Sequence, residues 1–152
     1  MNKLYFAGPL FCDAELRFNT SLTLEIESLG FEVFLPQRDG VEASKSPFDK
    51  MSREARREAI FTQDRDEILE CDVFLFVLDG RIPDEGACVE LGMAYTDKFL
   101  SKKGRVIVGL HTDKRAAFIA GKLNPMLGQC FDKIVMSTDD LLAFLGTLEQ
   151  TL

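Results

Sequence analysis

Apolar residues fall into short dense runs separated by longer stretches in which apolar and polar positions alternate at helical spacing. Leu4–Ala7 (LYFA) is the first run, stopped by Gly8-Pro9, a strand-to-loop signal. Residues 14–29 carry a helical pattern that Gly30 ends, and Phe31–Leu35 (FEVFL) reads as the next strand. Residues 36–51, PQRDGVEASKSPFDKM, are polar and turn-rich and are the expected mobile loop. A helix is predicted from about Ser52 to Glu70, then a strand over Asp72–Leu78 (DVFLFVL), then a helix from about Asp84 to Leu100. RVIVGL at 105–110 is strand, KIVM at 133–136 is a weaker one, and Asp139–Leu148 is a closing helix. Strands that alternate with helices and are apolar on successive residues predict a parallel sheet covered on both faces. Five of them over residues 1–152 predict a single α/β domain, flavodoxin-like and doubly wound, with a five-stranded parallel sheet. Ligands of such sheets bind beyond the carboxyl ends of the strands.

Two carboxylates break this pattern. Glu90 sits among Ala87, Cys88, Val89, Leu91, Gly92, Met93 and Ala94, where an unpaired buried charge is costly. One turn away stand Gly86, Ala87, Met93 and Ala94, which leave open space rather than opposite charge. Asp64 falls on a helix face with Ile60, Ile68 and Cys71 and interrupts that apolar stripe. Alone, Asp64 reads best as a helix residue at the rim of the core, and Glu90 can be read as solvated. Two such residues in one small domain fit paired-carboxylate chemistry, one attacking an anomeric carbon and one handling the leaving-group proton. Asp84 follows Ile82-Pro83 and reads first as a helix N-cap. Tyr5 points to the sheet face opposite Leu4 and Phe6, where plain core is the simplest assignment.

Composition narrows the partners. Eighteen basic against twenty-five acidic residues give a net charge of −7, which disfavours a nucleic acid polymer. One histidine, His111, and four scattered cysteines (Cys12, Cys71, Cys88, Cys130) give no metal-site spacing and no disulfide framework. No metal and no cofactor is expected. The opening residues pass directly into a strand, and no run is long enough for a membrane span, so a cytoplasmic protein acting on small molecules is expected.

The order of four segments resembles the nucleoside 2-deoxyribosyltransferase family: Y-F-A-G-P at Tyr5–Pro9, D-x(7)-D at Asp64 and Asp72, D-x(5)-E-L-G at Asp84–Gly92, and N-P-M at Asn124–Met126. The resemblance implies transfer of 2-deoxyribose between nucleobases, with nucleosides and free bases as partners. It implies that Glu90 is the nucleophile, forming a covalent ester with C1′ and retaining configuration through two inversions. Asp64 would exchange the proton with the base, Tyr5 would orient Glu90, and Asp84 would hold a sugar hydroxyl. Asn124 and Met126 would enter a neighbouring subunit's site, which implies a homo-oligomer, a hexamer or a dimer, with shared active sites. Gln37 and Asp39 are candidates for base-edge contacts, and Phe11 either stacks on the base or belongs to the core.

Two other functions stay open on the same scaffold. One is hydrolysis of 2′-deoxynucleoside 5′-monophosphates, against which Asp84 would repel the phosphate. The other is a non-catalytic nucleotide-sensing module, which has no use for two misplaced carboxylates.

Overall fold

The computed structural model describes residues 2–42, 44–102, 104–115 and 123–149. Five strands, β1 (Lys3–Ala7), β2 (Glu32–Phe34), β3 (Val73–Val77), β4 (Val106–Leu110) and β5 (Lys133–Val135), form one sheet in the order β2-β1-β3-β4-β5. Every pairing is parallel, which is the expected flavodoxin-like arrangement. Among the described residues, six α-helices connect or close the strands: α1 (Asp13–Ser28), α2 (Pro36–Asp39), α3 (Arg53–Glu70), α4 (Glu85–Ser101), α5 (Pro125–Gly128) and α6 (Thr138–Glu149).

Alternation along the strands sorts side chains onto two cores. Leu4, Phe6, Val73, Leu75, Val77, Val108 and Leu110 pack against Leu22 and Ile26 of α1 and Leu141 and Leu145 of α6. Tyr5, Ala7, Phe74, Phe76 and Ile107 pack on the other side against Ile68 of α3 and Ala87, Leu91 and Ala94 of α4. Both sheet faces are covered, which explains strands without polar alternation.

The described residues between 36 and 51 include two short helical turns and several anchoring hydrogen bonds. Pro36 opens α2 at a position where its missing N–H costs nothing, and Phe48–Lys50 makes a 3₁₀ turn. The Asp39 carboxylate accepts from the Leu35 N–H, and Gln63 of α3 donates to the Asp39 carbonyl, so the segment is tied at both ends of α2. Asp72 and Asp79 secure the ends of β3. Asp72 accepts from the Lys3 N–H, and Asp79 accepts from the N–H groups of Thr112 and Asp113 beyond β4. At the carboxyl end of β1, Gly8 has φ +157°, and a Cβ there would lie 2.9 Å from the Val77 Cβ, so only glycine fits without displacement.

Candidate active site

α3 and α4 lie against the same sheet face and both start from its carboxyl end, because each returns the chain to the start of the next parallel strand. Between them opens a cleft of about 470 Å³ lined by Asp64, Glu90, Arg57, Phe61, Gly86 and Met93, with Ile60, Arg65, Ile68 and Val89 completing the walls. α3 contributes positions 57, 60, 61, 64 and 68, one helical face. Along that face burial falls from Ile68, 0% exposed, to Ile60, 40% exposed. Asp64 therefore stands where the core stripe emerges into the cleft. α4 supplies Gly86, Glu90 and Met93 at the matching spacing of four and three residues.

Tyr5 is held from both sides. Its register partners on β2 and β3 are Phe34 and Phe74, and each ring stacks on the phenol ring at a centroid distance of 5.6 Å. From this fixed position the phenol donates a 3.1 Å hydrogen bond to Glu90 Oε1. Burial, with the charges of Glu90 and Asp64, pushes the phenol pKa above its ordinary value, so Tyr5 remains a donor.

Burial also pushes Glu90 up to about 7; the Asp64 charge adds to the rise, the Tyr5 hydrogen bond opposes it, and Asp84 contributes a smaller repulsion. Asp64 rises to about 6, chiefly through burial and secondarily through Glu67. The two carboxylates share one cleft, and the charge on Asp64 makes Glu90 harder to ionise.

The remaining candidates are dispersed. Asp84 is the N-cap of α4, its Oδ2 accepting from the Ala87 N–H at 2.8 Å, and among the described residues Oδ1 accepts no hydrogen bond. Gln37 lies away from the cleft: its Oε1 accepts from Asn19, and its Nε2 donates to the Leu16 carbonyl and Thr20 Oγ1, pinning α2 to α1. Asp39 is engaged at the start of α2 in the same way. Phe11 is 76% exposed in the loop after β1, so it is not core, and its N–H donates to Glu15. Asn124 caps α5 by accepting from the Met126 N–H, and Met126 is 80% exposed. Neither lines the cleft of its own chain. Arg57 was not a sequence candidate; its place on the Asp64 face, seven residues earlier, was the available signal. Among the described residues no group of three His, Cys, Asp or Glu side chains suits a metal ion, and no helix is long and apolar enough to cross a membrane.

A profile of the nucleoside 2-deoxyribosyltransferase family matches residues 4–139. The chain belongs to that family. It is an enzyme of the deoxyribosyltransferase type, and the family points to nucleosides as its small-molecule substrates. Among solved structures, a conserved protein from Enterococcus faecalis V583 is similar over 100% of this chain and 99% of its own, at 30% identity and a TM-score of 0.76. A 2-deoxyribosyltransferase from Bacillus psychrosaccharolyticus shares the fold at 22% identity and a TM-score of 0.72, covering 94% of this chain and 95% of its own. A CMP N-glycosidase from Clostridium botulinum does so at 21% identity and a TM-score of 0.54, covering 99% of each chain. No curated protein sequence matches the chain.

Proposed function

We propose that the enzyme transfers 2-deoxyribose from one nucleobase to another through an ester on Glu90. The observation that carries this reading is the Tyr5–Glu90 hydrogen bond at the floor of a cleft that also holds Asp64. Tyr5 fixes Oε1, which leaves Oε2 to attack C1′ as the glycosidic C–N bond breaks. The bonding electrons leave with the base, and Asp64 supplies the proton that the departing nitrogen takes up. An incoming base then attacks C1′, the Glu90 ester oxygen leaves, and Asp64 receives the proton. Two inversions retain the β configuration. Positive charge developing on the sugar is stabilised by the adjacent Glu90 anion. Asp84, with one carboxylate oxygen still open at the start of α4, is placed to accept from a sugar hydroxyl.

Asn124 and Met126 support a site completed between subunits. Both project outward, and the cleft of each chain keeps exposed apolar lips at Ile60, Phe61 and Val89 that a neighbouring chain would cover. In this arrangement Asn124 binds the 5′ end of the sugar and Met126 closes the pocket.

Hydrolysis of nucleoside monophosphates is the alternative on the same scaffold, and the Asp84 carboxylate speaks against it by repelling a phosphate. Incubation of deoxyinosine, and separately of its 5′-monophosphate, with free adenine separates the readings. Deoxyadenosine is the product expected from transfer, whereas hypoxanthine without deoxyadenosine contradicts transfer and supports hydrolysis.

A further inference from the structure

Arg57 lines the cleft, yet among the described residues its guanidinium has no hydrogen-bond or ion-pair partner. The other arginine of the lining, Arg65, is committed to Asp66 through two hydrogen bonds of 2.7 and 2.8 Å. Among the described residues no hydrogen bond or ion pair joins Arg57 to Asp64 or Glu90, although all three line the same cleft.

Its position along α3 is informative. Arg57 and Asp64 are seven residues apart on one helical face, a separation of about 10 Å along the axis. Because α3 descends from the carboxyl end of the sheet, Arg57 is nearer the mouth and Asp64 nearer the floor. Opposite, Gly86 keeps α4 open: a Cβ built there would meet only Asp84 Oδ2, at 3.2 Å. On the transfer reading, on which this inference rests, the sugar lies against Glu90 of α4 and the base against Asp64 of α3. The base therefore extends along the α3 wall towards Arg57.

We infer that Arg57 is a specificity-determining residue that donates to the exocyclic oxygen of an oxo-base, so that the enzyme prefers hypoxanthine or guanine to adenine. A guanidinium has only N–H donors and cannot be deprotonated at working pH. It matches a carbonyl acceptor on the base edge, while the amino group of adenine at the corresponding position presents another donor. Arg57 is exposed towards the mouth of the cleft, so the discrimination comes from matching donor to acceptor at the base edge rather than from desolvation.

Competition reads this preference without dependence on enzyme amount. With deoxyguanosine as donor and equal hypoxanthine and adenine, the wild type should form mainly deoxyinosine. Arg57→Met should move the deoxyinosine-to-deoxyadenosine ratio towards adenine by roughly ten- to a hundredfold, the value of one good arginine–base contact. Arg57→Lys, which keeps the charge but loses the planar fork, should lie between. An unchanged ratio in an active Arg57→Met enzyme overturns the inference. So does a loss confined to 2′-deoxyguanosine 5′-monophosphate as donor, which would place Arg57 beside a phosphate. Calorimetric binding of free hypoxanthine and free adenine, with no donor present, measures the same preference in a protein that transfers nothing. Equal loss of both bases, or of neither, in Arg57→Met overturns the assignment there too, separately from the fate of the transfer reading.

Discussion

Tyr5 on β1 and Glu90 on α4, 85 residues apart in the chain, are joined by a 3.1 Å hydrogen bond from the phenol to the carboxylate. The bond places an ionisable group from a helix over the sheet, and it stabilises the anion that burial and Asp64 oppose. Tyr5→Phe removes a donor to a charged group, and a rate loss of roughly ten- to a hundredfold is expected. It also removes the one contact that lowers the Glu90 pKa. The rising limb of kcat/KM against pH, expected near 7 in the wild type, should move to higher pH in Tyr5→Phe. A slower enzyme with an unmoved limb would mean that Tyr5 only packs.

Asp64→Asn keeps shape and loses proton transfer, a loss on the order of 10²–10⁴ in rate. Nucleosides whose leaving group needs no protonation should recover part of it. Because the Asp64 charge raises the Glu90 pKa, the amide should also shift the rising limb to lower pH. Equal losses for activated and ordinary bases would assign Asp64 a structural part.

The sequence carried the two carboxylates because each breaks a periodicity: Asp64 interrupts Ile60–Ile68–Cys71, and Glu90 sits in an otherwise apolar helix. The sheet order was legible for a similar reason, since βα alternation leaves few topologies. The role of Tyr5 was only half legible. Alternation gives its face, but its reach to Glu90 depends on how α4 lies over β1. Gln37 shows the opposite case, because a glutamine binds whichever helix is adjacent, and here that is α1. Four-residue α2 is too short to show a period. Arg57, within SREARREA, is marked in the sequence only by its place on the Asp64 face, a mark that a solvated helix charge can also carry.

Glu90 should also leave a signature in stability. Its folded pKa of about 7 exceeds the ordinary 4.5, so the folded state keeps a proton that the unfolded chain releases. The contribution is fully present below about 4.5 and is lost as pH rises through about 7, by at most roughly 3 kcal/mol. Glu90→Gln lacks this dependence. Urea unfolding at pH 5 and pH 8 should show the variant gaining on the wild type at the higher pH, whereas parallel behaviour would place Glu90 in water.

Shared sites predict complementation. Glu90→Ala and Asn124→Ala chains should each be inactive alone. After partial unfolding and joint refolding, some mixed interfaces pair an intact Glu90 with an intact Asn124, and activity should return. Exchanged mixtures that stay inactive, or a fully active monomer in sedimentation, would contradict the shared site.

The central claim is that Glu90 forms the covalent bond to the sugar. A 2-fluoro-substituted nucleoside slows breakdown of that ester, so the adduct accumulates and can be located by peptide mass analysis. The account predicts a fluorinated sugar on the peptide that contains Glu90, absent from Glu90→Ala; an adduct on any other residue, or full transfer activity in Glu90→Ala, would contradict it.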